Sequence, residues 1–217
     1  MRIMKWFVFS SILAMLAIGT SQAQECGPSC PVCSGNTEGA LLAQNSLMIS
    51  GLAIPESDDE KAVFNVRYGI FKWIDAGVGF AVEAEELLWS VRVQPITEKE
   101  SNWRPGIIAG IGSVQIGGSD QSGYCQATKS WEFSENFALR LSGGIATLLP
   151  DFDQAYFLAS ATTSISEKYS IFASYDGRSF HEGVSWIPVD WLTVSFLMVE
   201  SSTPAASLAL NLPLGKE

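Results

Sequence analysis

Four cysteines are the residues of this 217-residue chain that are best suited to covalent or metal chemistry. Cys26, Cys30 and Cys33 lie close together, whereas Cys125 lies far along the chain. The spacing of Cys30 and Cys33 occurs both in zinc sites and in redox pairs. In an oxidising compartment, the four residues are expected to form as many as two disulfides. Disulfide, metal-bound and free cysteines are all compatible with this pattern, and disulfides are favoured.

The single histidine is the residue on which a hydrolase site would have to be built. Ser179 precedes His181, and Ser185 follows it. On an extended strand with a rise of about 3.3 Å per residue, Ser179 is about 6–7 Å away and Ser185 about 13 Å away. Both separations exceed hydrogen-bond reach, so the spacing favours a polar residue at a rim or in an interior. A lipid-modifying enzyme centred on His181 is kept as an alternative.

The charge balance argues against nucleic acid as a partner. The chain has 13 Lys+Arg and 23 Asp+Glu, a formal net charge of −10, with only 17% charged residues. Its basic residues are scattered rather than clustered, so nucleic acid is not an expected partner.

The glycines at 110 and 112 lie within a strand-like segment that no helix follows, which argues against a phosphate-binding loop. No cofactor is expected, and the chain is not expected to be an enzyme.

The first segment has the pattern of an export signal. Arg2 and Lys5 give it a positive start, and residues 6–18 are almost wholly apolar. An apolar run of about 13 residues is too short to span a bilayer core. We therefore expect a signal peptide over residues 1–23, cleaved after Ala23. Residues 24–45, which contain the clustered cysteines, are expected to form an irregular periplasmic arm.

From residue 46 onward, apolar residues recur at every second position within short segments that turn residues separate. Phe64 and Val66 fall on one face of such a segment, and Asn65 and Arg67 fall on the other. This alternation predicts strands, because a helix would space its apolar residues three and four apart. About twelve strands are predicted, over residues 46–54, 62–71, 74–84, 87–95, 105–113, 122–129, 137–146, 154–164, 169–176, 179–187, 191–199 and 205–212.

The faces opposite the apolar residues are small and polar, with many glycines and serines. A soluble β-sandwich would carry more Lys, Glu and Thr on its water-facing side. The pattern therefore favours an all-β fold, a closed antiparallel transmembrane β-barrel over residues 46–214, and an even strand number suits such a barrel. Charges inside the barrel are expected to pair, because unpaired charge there is costly. The residues predicted to line the lumen are Asn65, Arg67, Asp75, Glu83, Arg92 and Arg140.

Tryptophan placement supports the membrane interpretation. Five tryptophans lie at or beside alternate turns: Trp73, Trp103, Trp131, Trp186 and Trp191. Alternate turns share one end of a barrel, and indole rings favour the boundary between membrane and water. The pattern predicts an aromatic girdle at one rim, although tryptophan also packs at strand ends in other β-proteins.

Two short motifs resemble those of a known family. Residues 104–112, RPGIIAGIG, are similar to the strand opening P-x-I-A-x-G-x-G of YjbH-like outer-membrane barrel proteins. Residues 173–177, ASYDG, resemble the E-Y-D-G strand end of that family, with Ser in place of Glu. The likeness covers roughly residues 63–212. It implies a location in the bacterial outer membrane and a role in the cell envelope or in exopolysaccharide functions.

These features predict an outer-membrane β-barrel protein that acts as a narrow pore or as the membrane anchor of an envelope or secretion complex. Outer-membrane lipid is an expected partner. The Cys-rich arm is expected either to plug the lumen or to contact a periplasmic or envelope-complex protein. Two alternatives remain: the lipid-modifying enzyme, and a soluble periplasmic β-sandwich that acts as a binding module.

Overall fold

The computed structural model describes residues 41–56, 61–99, 103–113, 121–134, 136–149 and 154–214. The predicted signal peptide, most of the predicted arm, and Cys26, Cys30 and Cys33 lie outside the described residues. Within the described ranges, no helix is long and apolar enough to cross a membrane.

Twelve antiparallel strands form one sheet that closes on itself. They are β1 Ser46–Ala53, β2 Ala62–Phe71, β3 Ile74–Ala81, β4 Glu86–Ile96, β5 Gly106–Ser113, β6 Gln121–Ser134, β7 Phe137–Leu148, β8 Ala155–Ser166, β9 Tyr169–Tyr175, β10 Phe180–Val189, β11 Leu192–Val199 and β12 Thr203–Pro213. Each strand pairs with its neighbours in sequence, and β1 closes the ring by pairing with β12. The predicted closed barrel of about twelve strands is confirmed, and the β-sandwich alternative is wrong because one continuous sheet forms the wall.

The apolar residues of the strands point outward. Phe64, Val78 and Phe196 are 57%, 55% and 59% exposed, whereas the alternate residues Asp75 and Ser195 are buried. A closed ring pairs the backbone groups of every strand, which is the condition for strands to cross hydrocarbon. The alternation therefore turns the apolar side chains toward lipid and the polar ones toward the lumen, as the sequence predicted.

The two ends of the barrel differ. We call the end at which β1 starts and β12 ends the base, and the opposite end the top. The base carries the turns after β2, β4, β6, β8 and β10. The five tryptophans that the sequence assigned to one rim are at or near this end: Trp73, Trp103, Trp131, Trp186 and Trp191. Trp103 packs edge-on against Trp131, with ring centroids 6.1 Å apart.

The sixth strand, β6, is much longer than the sequence predicted. β6 was expected over residues 122–129 but continues to Ser134, because its last residues pair with β7 beyond the end of β5. The loop between β4 and β5 contacts this extension on its other side. Glu98 Oε1 accepts a hydrogen bond from Ser130 N–H at 2.7 Å, and Lys129 Nζ lies 3.0 Å from the same oxygen.

Candidate functional site

A buried ion cluster lies inside the barrel near the base. Asp75 and Arg92 are in register on β3 and β4. Arg92 Nε donates to Asp75 Oδ1 at 2.9 Å, and Arg92 Nη2 donates to Asp75 Oδ2 at 2.6 Å. Arg67 reaches the same carboxylate from β2, with its Nε 3.9 Å from Asp75 Oδ1, and its Nη2 donates to Ser90 Oγ at 3.3 Å. Two guanidinium groups therefore share one carboxylate, and the cluster carries one positive charge in excess.

Arg140 faces the lumen from β7. Its side chain is 7% exposed, and its Nε donates to Ser130 Oγ on β6 at 3.0 Å. Arg67, Arg92 and Arg140, all predicted from alternation, therefore point inward from three separate strands.

Two of the predicted lining residues, Asn65 and Glu83, differ in their position along the barrel. Asn65 points inward on β2, and its amide occupies the space that a Cβ at Gly79 of β3 would need. Glu83 lies in the turn between β3 and β4, beyond the last strand residue. Its carboxylate is 3.9 Å from Lys61 Nζ, and its side chain is 33% exposed. Glu83 therefore lies at the top rim rather than beside Arg67 or Arg92, because the alternation that placed it inside stops at Ala81.

Inward glycines make room for large side chains in the same way. A Cβ at Gly110 of β5 would overlap the ring of Tyr124, which is its register partner on β6. The Gly-x-Gly segment at residues 110–112 therefore serves packing within the lumen, which explains its position inside a strand.

The opposite wall of the lumen is lined by hydroxyl groups. A row of inward serines crosses five neighbouring strands in register: Ser164, Ser170, Ser185, Ser195 and Ser207. Ser185 Oγ and Ser195 Oγ are 2.7 Å apart and hydrogen bonded. Sequence reasoning noted polar faces strand by strand but missed this row, because register between strands is not visible in local alternation.

Apolar side chains pack across the interior at the top. One cluster contains Ile54, Phe172, Leu197, Val199 and Ala205, and a second contains Val63, Ala81 and Leu88. Leu52 of β1 packs against both clusters and so joins them. These residues correct the expectation of a small, polar inner face: the inner face becomes apolar near the top. Their signal was hidden because strand ends such as Phe196-Leu197-Met198 are apolar on both faces.

His181 is fully engaged in structural contacts at the top. It is 1% exposed, its Nε2 lies 3.1 Å from Asp176 Oδ2, and its Nδ1 accepts Glu200 N–H at 3.3 Å. Both ring nitrogens therefore have partners. The two candidate serines also bond elsewhere: Ser179 Oγ donates to Glu200 Oε1 at 3.1 Å, and Ser185 bonds Ser195. This arrangement does not pair His181 with a serine nucleophile.

Asp176 lies in the turn between β9 and β10, outside the strands. Burial alone would raise the pKa of its carboxyl group, but hydrogen bonds from His181 and from the backbone N–H groups of Ser179 and Arg178 outweigh burial and lower the pKa. The ionised carboxylate therefore holds this turn against the histidine.

Cys125 faces outward from the middle of the barrel wall. It is exposed, and its register partners are Ala109 on β5 and the exposed Ile145 on β7. A thiol in this position faces lipid. The described part of the chain contains no group of three or more His, Cys, Asp or Glu residues arranged to hold a metal ion.

Together, these features define the class of protein. The chain is an antiparallel barrel with an even number of strands, an apolar outer surface, a polar and charged interior, and tryptophans gathered near one rim. Among the architectures that cross membranes, this combination belongs to bacterial outer-membrane β-barrels. The predicted fold and location agree with this class.

Comparison with known proteins supports the same fold. No family model matches the chain, and no curated protein sequence matches it. Among solved structures, the chain is similar to a KdgM porin with a TM-score of 0.52 and 10% identity, over 77% of this chain and 98% of the porin. A COG4313 outer-membrane channel from Pseudomonas putida F1 gives a TM-score of 0.43 and 12% identity, over 82% of this chain and 98% of the channel.

Proposed function

We propose that the chain is a narrow outer-membrane pore that prefers small anions. The observation that carries this proposal is the sign of the charge in the lumen. Arg67 and Arg92 share the carboxylate of Asp75, and Arg140 points inward from β7, although the whole chain has a net charge of −10. Low-dielectric walls concentrate the field of charges inside a narrow channel, so three arginines there favour anions over cations.

The order of charged and apolar side chains along the barrel axis supports a pore that is closed in this conformation. Glu98 and Glu132 lie nearer the base than the arginines, and the apolar clusters lie at the top. A permeating anion would have to pass between Leu52 and its neighbours, so conductance is expected to be small and intermittent. The similarity to a porin supports the barrel frame, and the arginines support the selectivity.

Bilayer recordings test this proposal. The purified chain in a planar bilayer with a KCl gradient is expected to give small steps with a reversal potential on the chloride side. Arg140→Gln is expected to shift the reversal potential toward zero, because it removes an inward charge that does not belong to the Asp75 cluster. Ile145→Leu, an outward change on the same strand, is the matched control. A wild-type preference for potassium would overturn the selectivity.

The membrane anchor of an envelope complex is the second candidate. The observation that favours it is the pair of apolar clusters joined by Leu52, which pack like a small core where a pore would be open. The resemblance to YjbH-like proteins suits this candidate, because that family is associated with envelope functions. Leu197→Ala is expected to loosen the apolar packing at the top. If neither this variant nor the wild-type chain conducts, the anchor is favoured over the pore.

A further inference from the structure

The residues that precede β1 enter the base of the lumen. Leu42 N–H donates a hydrogen bond of 2.9 Å to Asp75 Oδ2, and Asp75 is fully buried on the inner face of β3. The backbone of Leu42 therefore lies inside the mouth of the barrel, against the charged cluster, whereas Ala43 and Gln44 are exposed. We call residues 41–44 the mouth segment.

A glycine on β2 makes room for this segment. A Cβ added at Gly69 would overlap the Ala43 carbonyl oxygen and crowd the Leu42 carbonyl oxygen. Among the described glycines, Gly112 and Gly177 have a positive φ and Gly69 does not. The backbone conformation of Gly69 is therefore one that residues with a side chain can also adopt. The close approach of another backbone is thus what requires glycine at this position.

A turn at Asn45 connects the mouth segment to the wall. Asn45 has a φ of 59°, a left-handed conformation that asparagine tolerates better than most residues. Its N–H donates to Gly69 O at 2.8 Å, and its carbonyl accepts Leu214 N–H at 2.8 Å. Tyr68 Oη adds a bond of 3.1 Å to Asn45 Oδ1. The chain is fixed at Asn45, so the mouth segment can leave the lumen by pivoting there, with the loss of the two hydrogen bonds that the N–H and Oγ of Ser46 donate to Ala43 O.

We propose that the mouth segment is a plug that closes the base of the pore, and that Asp75 is the residue that holds it. This proposal rests on the proposed pore function. One carboxylate then has two roles: it orders the arginines of the lumen, and it accepts the backbone N–H that seats the plug. A single charge-assisted hydrogen bond stabilises the seated state only modestly, which suits a reversible closure.

Two variants of the full chain test the plug. Gly69→Ala places a methyl group where Ala43 O now lies, and Leu42→Pro removes the N–H that Asp75 binds without changing any strand. Gly143→Ala is the matched control, because a Cβ at Gly143 of β7 would meet nothing within 4 Å. Thermolysin cleavage on the amino side of Ala43, a bond that all four proteins retain, is followed by mass spectrometry and normalised to the rate in each unfolded chain. It reports release of the segment, and bilayer conductance reports opening.

Both plug variants are expected to be cleaved about tenfold faster than the wild type and to conduct more often. Gly69→Ala displaces the segment sterically, and Leu42→Pro removes its charge-assisted hydrogen bond to Asp75. Gly143→Ala is expected to behave as the wild type. Cleavage that is equally fast in all four proteins would overturn the plug. Faster cleavage with conductance that is unchanged from an active wild type would overturn the gating role and leave the pore intact. Faster cleavage with no conductance in any protein would overturn the pore and, with it, the gate.

Discussion

Asp75 of β3 and Arg92 of β4 stand directly opposite each other inside the barrel, and two hydrogen bonds of 2.6 and 2.9 Å join their side chains. The two side chains are 0% and 4% exposed. Neither charge has access to bulk water, so the Asp75 carboxylate depends for its solvation on Arg92, on Arg67 and on the Leu42 N–H. The pair therefore joins β3 to β4 and contributes to the charge of the lumen. Through Asp75 it also binds the mouth segment.

Removing Asp75 alone is expected to destabilise the barrel more than removing Asp75 and Arg92 together. Asp75→Leu leaves Arg67 and Arg92 without their shared carboxylate, and we expect a loss of about 3–5 kcal/mol. The double variant Asp75→Leu with Arg92→Met is expected to recover part of that loss, because one arginine rather than two then remains without the carboxylate. Urea unfolding of the refolded barrel in detergent micelles measures both. A double variant that is no more stable than Asp75→Leu alone would contradict this account.

The apolar cluster at the top is expected to contribute to stability as a core does. Leu197→Ala removes a buried side chain that packs with Ile54 and Phe172, and a loss of about 2–5 kcal/mol is expected. Met198→Ala is the control, because its side chain lies on the outward face, where lipid can fill the space. The same unfolding measurement compares the two. Equal losses at both positions would show that the top of the lumen is not packed.

Acid is expected to loosen the turn that contains Asp176. Its pKa is lowered in the folded chain, so its contribution to stability is complete above the unfolded value of about 3.9 and disappears as the pH falls through the lower folded value. Amide exchange at Arg178 and Ser179, which donate to Asp176 Oδ1, should therefore stay slow at pH 5 and accelerate only below about pH 4. Rates are normalised to those of the unfolded chain.

Asp176→Asn removes the charge and is expected to abolish this acid dependence. Asp190→Asn, an exposed change in a turn at the base, is the control and should leave the exchange of Arg178 and Ser179 unaltered. Acid-dependent exchange that persists in Asp176→Asn would assign the effect to another group.

Cys125 is expected to react as a lipid-facing thiol. With Cys26, Cys30 and Cys33 replaced by serine, the chain in vesicles should be labelled by an apolar maleimide and resist a charged one. Trp103→Cys with Cys125→Ser supplies the control, because Trp103 is 80% exposed at the base and should accept both reagents. If the charged reagent labels Cys125 as fast as the control, the outer face of β6 is in water and the membrane orientation is wrong.

Local alternation was sufficient to predict the barrel, because the inward or outward direction of a strand residue depends only on its position along the strand. It placed Arg67, Asp75 and Arg92 on the inner face, and their mutual contact then followed from neighbouring strands. It misplaced Glu83, since no local pattern reveals where a strand stops. It also missed the serine row, which depends on the register of several hairpins at once.

Other features were missed because they depend on contacts between distant segments. Leu197 lies between two apolar neighbours, so only its packing against Ile54 separates an inner face from an outer one. The length of β6 depends on Glu98 in another loop, and the role of Gly69 depends on Ala43. In each case, the decisive partner lies well away in sequence.

The pairing of β1 with β12 also has a consequence for the order of assembly. Ser46 pairs with Pro213, so this ladder joins the two strands that are most distant in sequence, and no short hairpin connects them. The entropic cost of bringing β1 and β12 together is offset only after the other strands have formed and paired. Until then, the growing sheet presents two unpaired edges that are open to aggregation. Slow steps in folding, and any dependence on an assembly factor, are therefore expected to centre on this last junction.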